Sequence, residues 1–213
     1  MDRNHVQKNG SGKKIDTSIE RCISIIGNGK NKKLYKTGDA FINLNDECHF
    51  LYLIESGVVG IYRKNDNLLI QEVEGPLVIG LAYLFHKADI IALAHSEISA
   101  YKINREDALL AIDKNSLWQD VATILARVTR SYALRDANII GLNAYKVVRY
   151  HLELLIQLPA EQRLMLNAAK FISDRTFISR SRIMEILKQL NAGSYITIKN
   201  GILIRIKHLP FDF

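Results

Sequence analysis

The side chains best suited to chemistry gather in one short run, "SRSRIMEILKQL" (179–190). Arg180, Arg182 and Lys188 are cationic, Ser179 and Ser181 carry hydroxyls, and Glu185 is acidic. What they offer is hydrogen bonding and charge attraction toward a polyanion. Ile183, Ile186, Leu187 and Leu190 follow i, i+3, i+4, i+7, so the spacing predicts a helix that turns those four to a core. Arg180, Ser181, Met184, Glu185 and Lys188 are left outside. Ser179 is placed to cap this helix by accepting from the amide of Ser181 or Arg182. Cations at a helix start oppose the macrodipole by about 0.3–1 kcal/mol each, which makes sense where the helix end is presented to an anion.

The flanking residues complete a recognisable unit. Asn167 can cap a preceding helix through Ala168, Ala169, Phe171 and Ile172, and "SDRTFIS" (173–179) breaks it, with Phe177 in the turn. Two short helices with a cationic start on the second are the signature of a helix-turn-helix, whose recognition helix enters the DNA major groove by its N-terminal residues. Gly193 ends the second helix. "YITI" and "ILIRI" follow, joined through Asn200-Gly201, the strongest two-residue hairpin signal. Helix-turn-helix plus hairpin is a winged helix, and Lys199 and Asn200 at the hairpin tip are placed to touch a phosphate.

Other chemistries are poorly supplied. The six histidines show no HxxxH or HExxH spacing, so no metal site is expected. "GNGKNKK" (27–33) lacks the glycine and hydroxyl positions of a phosphate-binding loop. Cys22 and Cys48 lack CxxC spacing and read as two ordinary thiols, with oxidation of either as the alternative. No nucleophile motif joins a serine to a histidine and an acid, so no enzyme is expected.

Charge separates the regions that must carry these residues. Residues 34–142 hold ten Lys and Arg against fourteen Asp and Glu, whereas residues 143–213 hold eleven against five. An acidic middle joined to a basic C-terminal third suggests a sensing domain attached to something that meets polyanions. No apolar stretch approaches the ~20 residues of a membrane span, and "MDRNHVQKNGSGKK" is too polar for a secretory signal. A cytoplasmic protein with no membrane partner is expected.

The acidic middle reads as short strands separated by turns: "FLYLI" (50–54), "VVGIY" (58–62), "LLIQEV" (68–73), Val78-Ile79 and "HSEISAYKI" (95–103). Strands so short and so often interrupted suggest an antiparallel barrel or jelly-roll-like domain. Asn104 is set to cap a helix "REDALLAID". From Ser116 to about Ile140 there is neither Gly nor Pro, and Trp118, Val121, Leu125, Val128, Tyr132 and Ile139 recur at spacings of three and four, with Arg135 interrupting. A helix of ~25 residues would be ~37 Å long, more than one small β-domain covers. Its apolar face goes either to its own domain or to a second copy, and the length of the stripe favours the second copy. "NAYKVVRYHLELLIQLP" (143–159) begins another helix, which stops at Pro159.

This order of parts resembles the CRP/FNR superfamily of bacterial transcription regulators over nearly the whole chain from about residue 34. "FLYLIESGVVGIY" and "GPLVIG" look like that family's β-roll strands, and "SRSRIMEILKQL" like its recognition helix. "LW" at 117–118, "ELLIQLP" and "YITIKNGILIRIKHLP" further resemble the enterobacterial subgroup called inhibitor of hydrogen peroxide resistance. The resemblance implies an α+β fold with an N-terminal cyclic-nucleotide-binding-like β-roll (double-stranded β-helix), a long dimerisation helix and a C-terminal winged helix-turn-helix. It implies residues 1–33 as a flexible or partly helical segment, 34–115 as the β-roll, 116–142 as the dimerisation helix and 143–213 as the DNA-binding domain.

The family's recognition helix opens Ser-Arg-Glu, with a second Arg one turn on. Ser179 and Arg180 match, while Ser181 replaces the Glu and Glu185 the second Arg, so a different DNA sequence is expected. The resemblance implies Arg180 bidentate to guanine, Glu185 accepting from cytosine, and Arg175, Thr176, Arg182 and Lys188 on phosphates. Relatives that bind cyclic AMP carry a Glu and an Arg-Ser pair that "IGLAYLFHKADIIALAHSE" (79–97) lacks, with Leu81 where the Glu would stand. No cyclic nucleotide and no other cofactor is therefore expected. The expected partners are double-stranded DNA, a second copy of the chain and RNA polymerase. A non-enzymatic scaffold whose basic domain binds a protein or anionic surface is the alternative.

Overall fold

An unbroken apolar strand must bury both faces, and "FLYLI" does. The protein, a computed structural model, is described for residues 11–42 and 50–212. In β3 (Phe50–Ser56), Tyr52 and Ile54 point one way and Leu51 and Leu53 the other, and all four are buried. The first pair enters a core between two four-stranded antiparallel sheets. One sheet orders β1 (Lys32–Tyr35), β8 (Ile98–Asn104), β3 and β6 (Leu77–Ile79). The other orders β2 (Ala40–Ile42), β7 (Ile90–Ala94), β4 (Val58–Arg63) and β5 (Leu69–Glu74). Val59, Ile61, Ala92 and Ala94 meet Tyr52, Ile54, Ile98 and Ala100 in that core, and the Tyr52 hydroxyl donates to the Phe41 carbonyl at 2.6 Å. This is a jelly-roll arrangement.

The second pair faces helices. α1 (Ser11–Ile26), α2 (Arg105–Lys114) and the start of α3 (Trp118–Ala137) bury Ile19, Cys22, Ile26, Ile112, Leu117, Val121 and Ile124 against Leu51, Leu53, Val78 and Ile103. The segment expected to be flexible or partly helical therefore contributes a helix to the core. Its signal was the three- and four-residue spacing of Ile19, Cys22 and Ile26. Arg21 pairs with the buried Asp120 at 3.0 Å, clipping α1 to α3. Asn104 caps α2, accepting from the Asp107 amide at 2.8 Å.

The chain divides into two units, residues 1–131 and 132–213, with the boundary inside α3. This helix ends earlier than its apolar pattern suggested, in a tight turn through Asn138 and Ile140, and so is ~30 Å long. Two of the expected dimerisation residues do not lie on an exposed face of α3. Val121 is only 3% exposed because it faces its own unit's core beside Leu117 and Ile124, and Ile139 lies beyond the helix end. Leu125 is half-buried against that core, Tyr132 is half-buried, and Trp118 and Val128 are exposed. The Trp118 indole donates to Asp113 at 2.6 Å, and its ring stacks on Phe85.

In the second unit α4 (Ala144–Gln157), α6 (Ala168–Ser173) and α7 (Arg180–Ala192) pack around Val148, Leu152, Leu155, Ile172, Ile183 and Leu190. α5 (Ala160–Arg163) is a single turn between α4 and α6. The hairpin β9 (Ile196–Lys199) and β10 (Ile202–Ile206) closes this core with Ile196 and Leu203. The tail is tied to α4 at Pro210, whose carbonyl accepts from Tyr145 at 2.6 Å and Arg149 at 3.1 Å.

Candidate nucleic-acid interface

α7 is positioned from beneath by its apolar face and from its start by Ser179. Ile183, Ile186, Leu187 and Leu190 are each at most 5% exposed. Ser179 stands outside the helix as N-cap, its hydroxyl accepting from the Arg182 amide at 3.3 Å. Asn167 caps α6 in the same way, accepting from the Lys170 amide at 3.0 Å. The segment 174–179 turns the chain between them, with Phe177 73% exposed.

The cations expected to meet DNA are not equally available. Arg180 and Lys188 are exposed, and neither has an ion pair among the described residues. Arg182 donates to Glu185 at 2.7 Å, so the expected phosphate cation and the expected cytosine reader engage each other. The Ser181 hydroxyl lies 3.1 Å from that of Ser179, folded back over the cap.

Two further expected phosphate contacts are engaged within the protein. Thr176 is 6% exposed, and its hydroxyl donates to the Ile172 carbonyl at 2.9 Å while accepting from the Ile178 amide at 3.4 Å. It shapes the turn and is not presented to a phosphate. Arg175 is half-buried, its guanidinium 3.8 Å from the Phe171 ring and donating to the Phe171 carbonyl at 3.2 Å. That carbonyl lies in the last turn of α6, where a cation is favoured by the dipole.

The hairpin tip is built as the Asn-Gly pair requires. Asn200 and Gly201 take φ of +51° and +80°, the left-handed pair of a type I′ turn. Gly201 is also approached closely: a Cβ there would lie 2.3 Å from the Asn167 amide nitrogen, and its carbonyl accepts from the Ala168 amide at 2.8 Å. The tip, with exposed Lys199 and Asn200, is thus joined to the start of α6. Arg205 and Lys207, exposed toward the far end of β10, add cations that sequence reasoning passed over. Their signal was the outward alternation of "IRIK".

Beneath the interface, His151 of α4 is 2% exposed, with Nδ1 2.8 Å from the Val147 carbonyl. Burial pushes its pKa down to about 4, and the charges of Arg175 and Arg135 act in the same direction.

The segment 79–97, which the resemblance set against the nucleotide-binding turn, opens with an apolar turn and goes on to exposed His86 and Lys87. Leu81 and Leu84 of the short 3-10 turn Leu81–Leu84 are buried among Val78, Ile103 and Ile112. Gly80 enters that turn at φ +106°, where a Cβ would lie 2.4 Å from the Phe50 carbonyl oxygen. Cys22 is fully buried, and burial pushes its thiol up to about 11, so it is protonated and shielded at neutral pH. Cys48 lies outside the described residues. Among the described residues no helix is long and apolar enough to cross a membrane, and no cluster of His, Cys, Asp or Glu is placed to hold a metal.

Comparison with known proteins agrees with this geometry. A family model described as winged helix-turn-helix DNA binding matches residues 144–211. The inhibitor of hydrogen peroxide resistance from Escherichia coli is 30% identical over 202 residues, covering 92% of this chain and 94% of the relative. Its namesake from Salmonella typhimurium is 31% identical over 197 residues, with the same coverage. Among solved structures, the c-di-GMP-responsive global regulator CLP of Xanthomonas campestris superposes with a TM-score of 0.72 at 16% identity, over 89% of this chain and 98% of that one. A CRP-family transcriptional regulator from Thermus thermophilus gives 0.61 at 22% identity, over 82% and 92%. The chain belongs to the family of the inhibitor of hydrogen peroxide resistance, and its fold is that of a CRP/FNR-like DNA-binding transcription regulator.

Proposed function

We propose that the chain is a homodimeric, sequence-selective DNA-binding regulator that works without a cyclic nucleotide and acts on resistance to peroxide. The observation that carries the reading is Arg180, an exposed guanidinium at the first residue of a capped helix whose opposite face is fully buried. Bidentate donation to guanine is what such a group does best in a major groove. Lys188, Lys199 and Asn200 supply phosphate contacts around it. The Arg182–Glu185 pair is exposed on both sides, so it is worth less than about 1 kcal/mol and can be exchanged for contacts with DNA.

Loss of the nucleotide is supported by residues 79–97, which hold no arginine to meet a phosphodiester and bury Leu81 where the Glu of cyclic-AMP-binding relatives would stand. The peroxide link rests on the names of the Escherichia coli and Salmonella relatives. The burial of Cys22 argues against that thiol as the sensor. Selection of duplexes from a random-sequence pool by the full chain tests the reading. One recurring, roughly palindromic sequence is expected, bound more weakly as salt rises. Arg180→Ala should lower affinity for it by about 5- to 150-fold and blur the preference at one position of each half-site. Unchanged affinity and site choice would sink the assignment of α7 as the reading helix.

A further inference from the structure

On the outward face of α7, Met184 is the side chain that charge and hydrogen bonding leave unexplained. Arg180, Met184 and Lys188 stand at i, i+4 and i+8, one ridge along the helix. The core beneath is already filled by Ile183, Ile186, Leu187 and Leu190, so Met184 is not needed for packing, and it is 51% exposed. Helix propensity does not ask for it either, because Lys, Arg, Gln and Glu serve almost equally and are better solvated. A thioether therefore sits in the middle of a cationic ridge where a polar residue would be the ordinary choice.

Its neighbours narrow what it does. Glu185 is held by Arg182, and the Ser181 hydroxyl lies within reach of Ser179, so the polar groups flanking Met184 have partners within the protein. Arg180 and Met184 remain facing outward. The C5 methyl of thymine is the apolar feature by which the major groove distinguishes its bases, and an apolar side chain reads it. Four residues of helix advance about 6 Å, close to two base-pair steps. We propose that Met184 reads a thymine methyl about two base pairs from the guanine held by Arg180, which makes it a specificity-determining residue of the interface. The proposal rests on the DNA-binding reading above.

The test uses duplexes selected from a random-sequence pool by the full chain, with each thymine in turn replaced by uracil, which removes only the methyl. At one position per half-site the wild-type chain should lose about four-fold in affinity. Met184→Ala and Met184→Gln should bind the thymine and uracil duplexes equally, and Met184→Leu should keep the preference. Circular dichroism should match wild type for all three, since the side chain lies outside the core. A wild-type chain that selects a sequence yet tolerates uracil at every position overturns the proposal, as does a Met184→Ala variant that still prefers thymine. A chain that selects no sequence overturns the DNA-binding reading itself, a separate and recognisable result.

Discussion

His151 shows how one residue's role escapes the sequence and what that role implies. It occupies a core position of α4, where burial and two nearby guanidinium groups, Arg135 and Arg175, oppose its protonation. The unfolded chain takes up that proton near the ordinary value of 6.5, whereas the folded chain resists until about 4. Between those values the unfolded state binds more protons, so folding is weakened as pH falls through the window and regains the full contribution above it. That contribution is about 3 kcal/mol at neutral pH. Urea midpoints measured across this range should fall with acidification, and His151→Leu should fall less steeply. An identical slope in the variant would show that His151 does not carry the effect. In the sequence this histidine is one polar letter on an amphipathic helix. Caps such as Asn104, Asn167 and Ser179 were legible because the group each one binds lies three residues on. Thr176 and Arg175 also bond within four residues, but their burial, like that of Val121, was not legible because it is set by how the elements pack.

Among the elements, the hairpin was the most legible, because Asn-Gly is a backbone instruction that needs no distant partner. β1, β2 and β7 were missed for the opposite reason. β1 is a short, mostly polar edge strand, and β7 is an apolar run that acquires its inward and outward faces only between β2 and β4. The sequence also did not disclose that Gly201 does two jobs, turning the hairpin and admitting Asn167 against its backbone. Gly201→Ala should therefore lower the stability of the second unit by at least about 1–2 kcal/mol, the usual penalty for a side chain in the left-handed region. The crowded Asn167 amide must also shift. Asn200→Gly should be close to neutral, because it keeps the same turn. Chemical denaturation followed by far-ultraviolet dichroism compares the two, and equal midpoints would show that the tip is not clamped.

For the whole molecule, the proposed homodimer turns on which face of α3 would meet a second copy. The sequence pointed to a seam through Val121 and Val128, but the protomer claims Val121 for its own core. A neighbouring seam, Trp118, Ala122, Leu125, Thr129 and Tyr132, alternates four and three residues, the spacing of a coiled-coil stripe. Ala122 and Thr129 on it are exposed and small enough for two helices to approach closely. If this seam pairs two chains, Ala122→Glu and Thr129→Glu should place like charges against each other across the interface while leaving each protomer's core untouched. Light scattering on the wild type should give twice the 24.2 kDa of one chain, and the double variant should give the monomer mass with an unchanged dichroism spectrum. If, as proposed, a palindromic site is read by two recognition helices at once, separating the chains should also remove the gain from linked binding, weakening DNA affinity by a factor of about a hundred or more. A double variant that remains dimeric would return the interface to the Val128 side of the helix, where the corresponding Val128→Glu change should then dissociate it.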